Sequence, residues 1–85
     1  MKSEIPKRLK VDRSCFYELP DDTPAHQLPG YEAYFRERYR GEFMYRMGLR
    51  YFFSFRDSRS RDKFLTICEV QGKQQGLILK RVTIY

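Results

Sequence analysis

Between residues 43 and 55 every odd position is apolar or aromatic: Phe43, Tyr45, Met47, Leu49, Tyr51, Phe53 and Phe55. The even positions are mixed, running Glu42, Met44, Arg46, Gly48, Arg50, Phe52, Ser54 and Arg56. Side chains on an extended chain alternate between two faces, so a period of two commits one face to a core and leaves the other to water. The pattern predicts β structure across 42–56 with its odd face inward. Gly48 divides the run. A two-residue loop at Met47-Gly48 would pair Arg46 with Leu49 and exchange the faces. Unbroken parity instead predicts one strand bent at Gly48, or a three-residue loop, Arg46-Met47-Gly48, that pairs Tyr45 with Leu49. Strands average about five or six residues, which favours the hairpin.

The flanking segments are shorter signals. From Arg8 to Leu19 the odd positions Leu9, Val11, Cys15, Tyr17 and Leu19 are apolar, which predicts a half-buried strand. Residues 1–7 ahead of it form a basic arm broken by Pro6, expected to be mobile. PDDTPAHQLPG, residues 20–30, predicts a proline-rich loop. YEAYFRERYRG places Tyr31, Tyr34, Phe35 and Tyr39 on one side of a helix, with Gly30 as its cap and Gly41 as its stop. DSRSRD, 57–62, reads as a polar hairpin tip, and KFLTICEV, 63–70, apolar on both alternations, as a central strand. QGKQQG is a turn, and LILKRVTIY a last strand whose edge along 77–84 offers pairing to a second copy, a homodimer. The expected fold is α+β: an N-terminal strand, one short helix, then a three- to four-stranded antiparallel meander.

Eighty-five residues hold one small domain, 1–85. Its 16% aromatic content excludes a disordered chain. No apolar run is long enough to span a bilayer, and no apolar core of a signal peptide opens the chain, so a cytoplasmic protein is expected. Cys15 and Cys68 stand far apart without CxxC or a nearby His, which predicts buried thiols in strands and no metal site. His26 is the only histidine and falls in the proline-rich loop. No carboxylate pair, nucleophile motif or glycine-rich phosphate loop is present, so neither catalytic residues nor cofactors are expected.

The charge is informative. Of the net +6, the segment from Arg36 to Arg61 carries eight arginines against Glu37, Glu42 and Asp57, with no lysine. Guanidinium groups favour planar, bidentate contact with phosphate or carboxylate. The implied partner is nucleic acid or an acidic protein rather than a membrane. On the even face of 42–56, Arg46, Arg50 and Arg56 lie with Met44 and Phe52 among them. Arginines interleaved with a ring are how single-stranded RNA or DNA is often held, guanidinium on phosphate and base on ring. Phe52 is the expected stacking platform, with Arg59 and Arg61 flanking, and Lys63, Lys7, Arg8 and Lys10 extend the track. Two other outcomes fit the composition. One is an ordinary polar sheet face, with Glu42 or Glu69 using up the charge. The other is an accessory or inhibitor protein, of phage or plasmid type, that binds an acidic partner without chemistry.

The series GEFMYRMG, LRYFFSF and DKFLTICEV also resembles the strands of RelE-type bacterial toxins that cleave ribosome-bound mRNA. The likeness covers roughly the second half of the chain. That family has a helical hairpin where this chain has its proline-rich loop and short helix. The resemblance implies cleavage by Arg, Lys and Tyr side chains without a cofactor, and singles out Arg46, Arg50, Arg81 and Tyr85 for testing.

Overall fold

The structure, a computed structural model, describes residues 11–77 and 79–84. The basic arm at 1–7, with Lys7, Arg8 and Lys10, lies outside the described residues, as does Tyr85. Besides short 3₁₀ turns at Val11–Arg13 and Ala25–Gln27, the described residues form, in order, β1 (Ser14–Glu18), α1 (Leu28–Arg38), β2 (Phe43–Met47), β3 (Arg50–Ser54), α2 (Ser58–Gln74) and β4 (Lys80–Ile84). The strands form one four-stranded antiparallel sheet in the order β2-β3-β1-β4. This is the split β-α-β, or ferredoxin-like, order of elements. The α+β class and the antiparallel sheet match the expectation; the second helix does not.

Residues 63–70 are helical. Asp57 caps α2 by accepting from the Ser60 N–H at 2.8 Å. The helix buries Arg61, Phe64, Leu65, Cys68 and Gly72, spaced as one side of a helix. The same residues alternate well enough to pass for a doubly buried strand, which is why periodicity alone misplaced them. The helix ends at Gln74 and is closed by Gly76, φ +77°, with the Leu77 N–H donating to the Gly72 carbonyl at 2.8 Å and the Gly76 N–H to that of Lys73 at 3.2 Å. That bond pair is a Schellman stop, so Gly72 belongs to the helix rather than to a turn.

Helix α1 begins three residues ahead of Tyr31, because Pro29 fits a first helical turn, where no N–H is needed. It ends at Arg38, and Tyr39 is already extended. Gly41 therefore stops nothing; a Cβ there would lie 2.3 Å from the Tyr39 ring and 2.5 Å from the Ser54 carbonyl oxygen. The Tyr39 hydroxyl donates to Ser54 O at 2.6 Å and accepts from the Phe43 N–H at 2.5 Å, tying the α1–β2 connection to the end of β3.

The β2–β3 hairpin corrects the parity argument. Met47 pairs with Arg50 and Tyr45 with Phe52, leaving a two-residue loop, Gly48-Leu49. Gly48 has φ +62° while no other residue type among those described has positive φ, the pattern of a type II′ turn with glycine first. The faces are exchanged at that turn. Met44 and Arg46 share a face with Tyr51 and Phe53, whereas Phe43, Tyr45 and Met47 share one with Phe52 and Arg50. β2 is an edge strand whose apolar side chains are half-buried on both faces, so its odd residues need not enter the main core.

That core lies between the sheet and both helices. Phe35 of α1 meets Tyr17, Tyr51 and Phe53 at 5.4, 5.0 and 5.1 Å between ring centroids, and Phe53 meets Phe64 of α2 at 4.8 Å. The tyrosine hydroxyls find carbonyls: Tyr17 donates to Leu65 O and Tyr34 to Cys68 O, each at 3.0 Å. Cys15 and Cys68 are fully buried and unbridged, Cys68 on α2 rather than on a strand.

Phe53→Ala should lower the unfolding free energy by about 3–5 kcal/mol, read from a denaturant titration. That is most of what a domain this small has. Burial pushes the Cys15 and Cys68 thiols from the usual 9.0 up to about 12. The folded chain then keeps protons that the unfolded chain releases. Stability is complete below the unfolded thiol value of 9.0 and declines as pH rises toward 12. Denaturation midpoints from about pH 8 to 9, below most tyrosine ionisation, should fall with pH, and Cys15→Ala should flatten the slope.

Candidate nucleic-acid interface

The sheet face turned away from both helices is read directly from the register. It consists of three rows. Tyr45, Phe52, Phe16 and Val82 form the middle one, from β2 across to β4. Phe43, Ser54 and Ser14 lie at one end, and Met47, Arg50, Glu18 and Lys80 at the other. Phe16 and Phe52 stack at the centres of β1 and β3, with centroids 5.0 Å apart. Tyr45 stands 6.2 Å from Phe52, and Phe43 lies parallel to Tyr45 at 6.3 Å. A small domain with this much ring surface outside its main core is making a second apolar layer.

Phe52 is only 3% exposed, whereas Phe16, Tyr45, Phe43 and Val82 are half-buried. A ligand on this face therefore meets Phe16, Tyr45 and Phe43, and Phe52 supports them from between. The Arg50 guanidinium lies over the Phe16 ring, 5.5 Å from its centroid, and 3.6 Å from the Glu18 carboxylate. With the Arg50 side chain 47% exposed, solvent screens that pair, and its net worth is within about 1 kcal/mol. The Lys80 side chain has no ion pair or hydrogen bond among the described residues.

The other sequence candidates go elsewhere. Arg46 is on the helix-bearing face and donates to the Gly48 carbonyl at 2.8 Å. Arg56 follows β3, its side chain 85% exposed and 3.9 Å from Asp57. Arg59 is exposed in the first turn of α2. Arg61 is buried, donating to Ser14 O at 3.4 Å and to the Asp62 carboxylate at 3.2 Å, which makes it a strut between α2 and β1. Lys63 lies on α2 as well. Of the residues singled out as a site, only Arg50 and Phe52 share a face.

Phe16, Tyr45 and Phe43 were missed. Phe16 had a signal, being an aromatic on the otherwise polar alternation of its strand. Phe43 and Tyr45 had none, because the exchange of faces at Gly48 is a property of the turn. The toxin-like series loses its third strand, since DKFLTICEV lies within α2. Arg81 is turned to the helix-bearing face, in register with Tyr17 and 3.4 Å from Glu69 of α2.

No known protein family matches this chain, and neither does any curated protein or solved structure. Among the described residues no helix is long and apolar enough to cross a membrane, and no group of His, Cys, Asp and Glu is placed to hold a metal ion.

Arg50→Ala should change stability by no more than about 1 kcal/mol in a thermal or denaturant melt. Arg61→Ala should cost roughly 1–3 kcal/mol, because it removes a buried donor and the packing of its stem.

Proposed function

We propose that the protein binds single-stranded nucleic acid on the helix-free sheet face. The observation that carries this reading is the stacked Phe16–Phe52 pair at the centres of the two middle strands, with Arg50 above it and Tyr45 beside it. A four-stranded sheet backed by helices, with rings at the centres of adjacent strands, is the layout on which RNA-recognition modules stack two or three bases. Bases in a duplex cannot reach such a surface, so an unpaired strand is the ligand. Phe16 and Tyr45 take base faces, Arg50 and Lys80 take phosphates, and Phe52 keeps the Phe16 ring in place. The net charge of +6 adds long-range attraction for a polyanion. Arg56 and Arg59, at the opposite end of β3 from Arg50, contribute to that field rather than to the stacking surface.

Fluorescence anisotropy of a labelled single-stranded oligonucleotide, repeated from low to physiological salt, tests the reading. Binding should weaken steeply as salt rises, as expected when several phosphates are neutralised. Phe16→Ala should cost about 1–3 kcal/mol of binding and leave the cooperative melt intact. Arg50→Glu should reduce affinity further by placing a carboxylate beside Glu18. No binding at low salt, or binding that ignores both substitutions, would sink the proposal; a pull-down for an acidic protein partner would then be the next step.

A further inference from the structure

A separate cleft opens between the C-terminal end of α1, the connection after it and the first half of α2. Its cavity of about 320 Å³ is lined by Phe55, Phe64 and Ile67 together with Arg38, Arg40, Ser60 and Lys63. The two phenyl rings pack at 5.1 Å and are almost fully buried, while Ile67 is 38% exposed. A second cavity of about 330 Å³ shares Arg40 and Ser60 with the first and adds Arg56 and Glu42. Small-ligand sites start at roughly this size, about 300 Å³.

The charges around the cleft do not cancel. Glu42 is held by Arg13 at 3.5 Å, Glu37 by Arg38 at 3.2 Å, and Asp57 is engaged in capping α2. Arg38 is also tied down: it donates to Tyr34 O at 3.2 Å and to the Gln71 side chain, and lies over the Tyr34 ring. The Arg40 and Lys63 side chains have no ion pair or hydrogen bond among the described residues. Two uncompensated cations, supplied by different elements, thus border an apolar wall whose exposed part is Ile67. An apolar molecule alone would leave them unanswered, and a small inorganic anion would leave the exposed Ile67 side chain uncovered.

We infer that this cleft binds a phosphomonoester carried on a flat, apolar body, the chemistry shared by a free nucleoside monophosphate and the phosphorylated terminus of a nucleic-acid strand. The dianionic phosphate lies between Arg40, whose planar fork suits two phosphate oxygens, and Lys63, a point charge. The flat body lies against Ile67, which the buried Phe55 and Phe64 rings support from beneath. None of these residues belongs to the helix-free sheet face, so the inference does not depend on the function proposed for that face.

The test is to follow amide chemical shifts of the labelled full chain during titration with nucleoside monophosphates, up to millimolar concentration. The unphosphorylated nucleoside serves as the control. The monophosphate should move the Arg40, Ser60 and Lys63 amides and saturate, and the nucleoside should bind much more weakly. Arg40→Ala and Lys63→Ala should each weaken binding at least about tenfold, the usual loss for a hydrogen bond to a charged group, without shifting the melting temperature. Oligonucleotides with a terminal phosphate or a terminal hydroxyl separate the two sources. Saturation by the mononucleotide supports a free ligand; saturation only by the phosphorylated oligonucleotide supports a strand terminus. If neither moves these amides, or if both substitutions leave the titration unchanged, the inference is overturned. Shifts confined to Phe16, Tyr45 and Phe43 would also overturn it while leaving the sheet-face proposal standing.

Discussion

The ring of Phe35 is the contact on which the rest of this domain depends. It is fully buried, projects from α1, and meets Tyr17 on β1 together with Tyr51 and Phe53 on β3. Through Phe53 the same cluster reaches Phe64 on α2. One aromatic cluster therefore fixes both helices against one face of the sheet. Each ring buries a large area with few rotamers to lose, which suits a chain too short for a deep aliphatic core. The hydroxyls of Tyr17 and Tyr34, bonded to the Leu65 and Cys68 carbonyls about one turn apart along α2, set the rotation of that helix about its axis. With both helices committed to one side, the other side carries the rings of Phe16, Phe43, Tyr45 and Phe52 in a layer of their own.

The arginines are dispersed by the same architecture. A sequence-local cluster from Arg36 to Arg61 becomes, in space, several groups with different work. Arg46 and Arg50 flank the hairpin turn on opposite faces. Arg38 and Arg61 brace helices, the first against Gln71 and the second against β1. Arg40 and Arg56 border the cavities at the far end of β3. An excess of one charge in a segment thus attracts a polyanion as a whole, while only a few of its members are positioned to touch one.

The alternation in 43–55 correctly marked two strands, and the tyrosine spacing marked a helix, because each pattern follows from local backbone geometry. What the pattern did not carry was which face each strand turns inward. That depends on the φ of Gly48 and on β2 lying at the sheet edge, where neither side is deeply buried. The helical state of 63–70 was obscured for a different reason. Phe64, Leu65 and Cys68 satisfy a buried helical stripe and a buried strand equally over eight residues, and Asp57, the cap that decides between them, resembled a turn residue. The site was legible in proportion. Arg50 and Phe52 were placed on the helix-free face because β3 itself was read correctly, while Phe16 was left on a polar face and Phe43 and Tyr45 were assigned to the core.

The two-residue turn at Gly48-Leu49 makes the identity of each face of β2 a matter of loop length. With β3 anchored by β1, inserting a single codon while the loop stays at two residues would shift β2 by one position. Phe43 and Tyr45 would then be carried toward the helices and Met44 and Arg46 away from them. Deletion would do the same. The connection from β1 to α1, which passes through a short 3₁₀ turn at Ala25–Gln27, has no such parity to keep. Across divergent copies of this gene, length variation should accumulate in that connection and be purged from the hairpin.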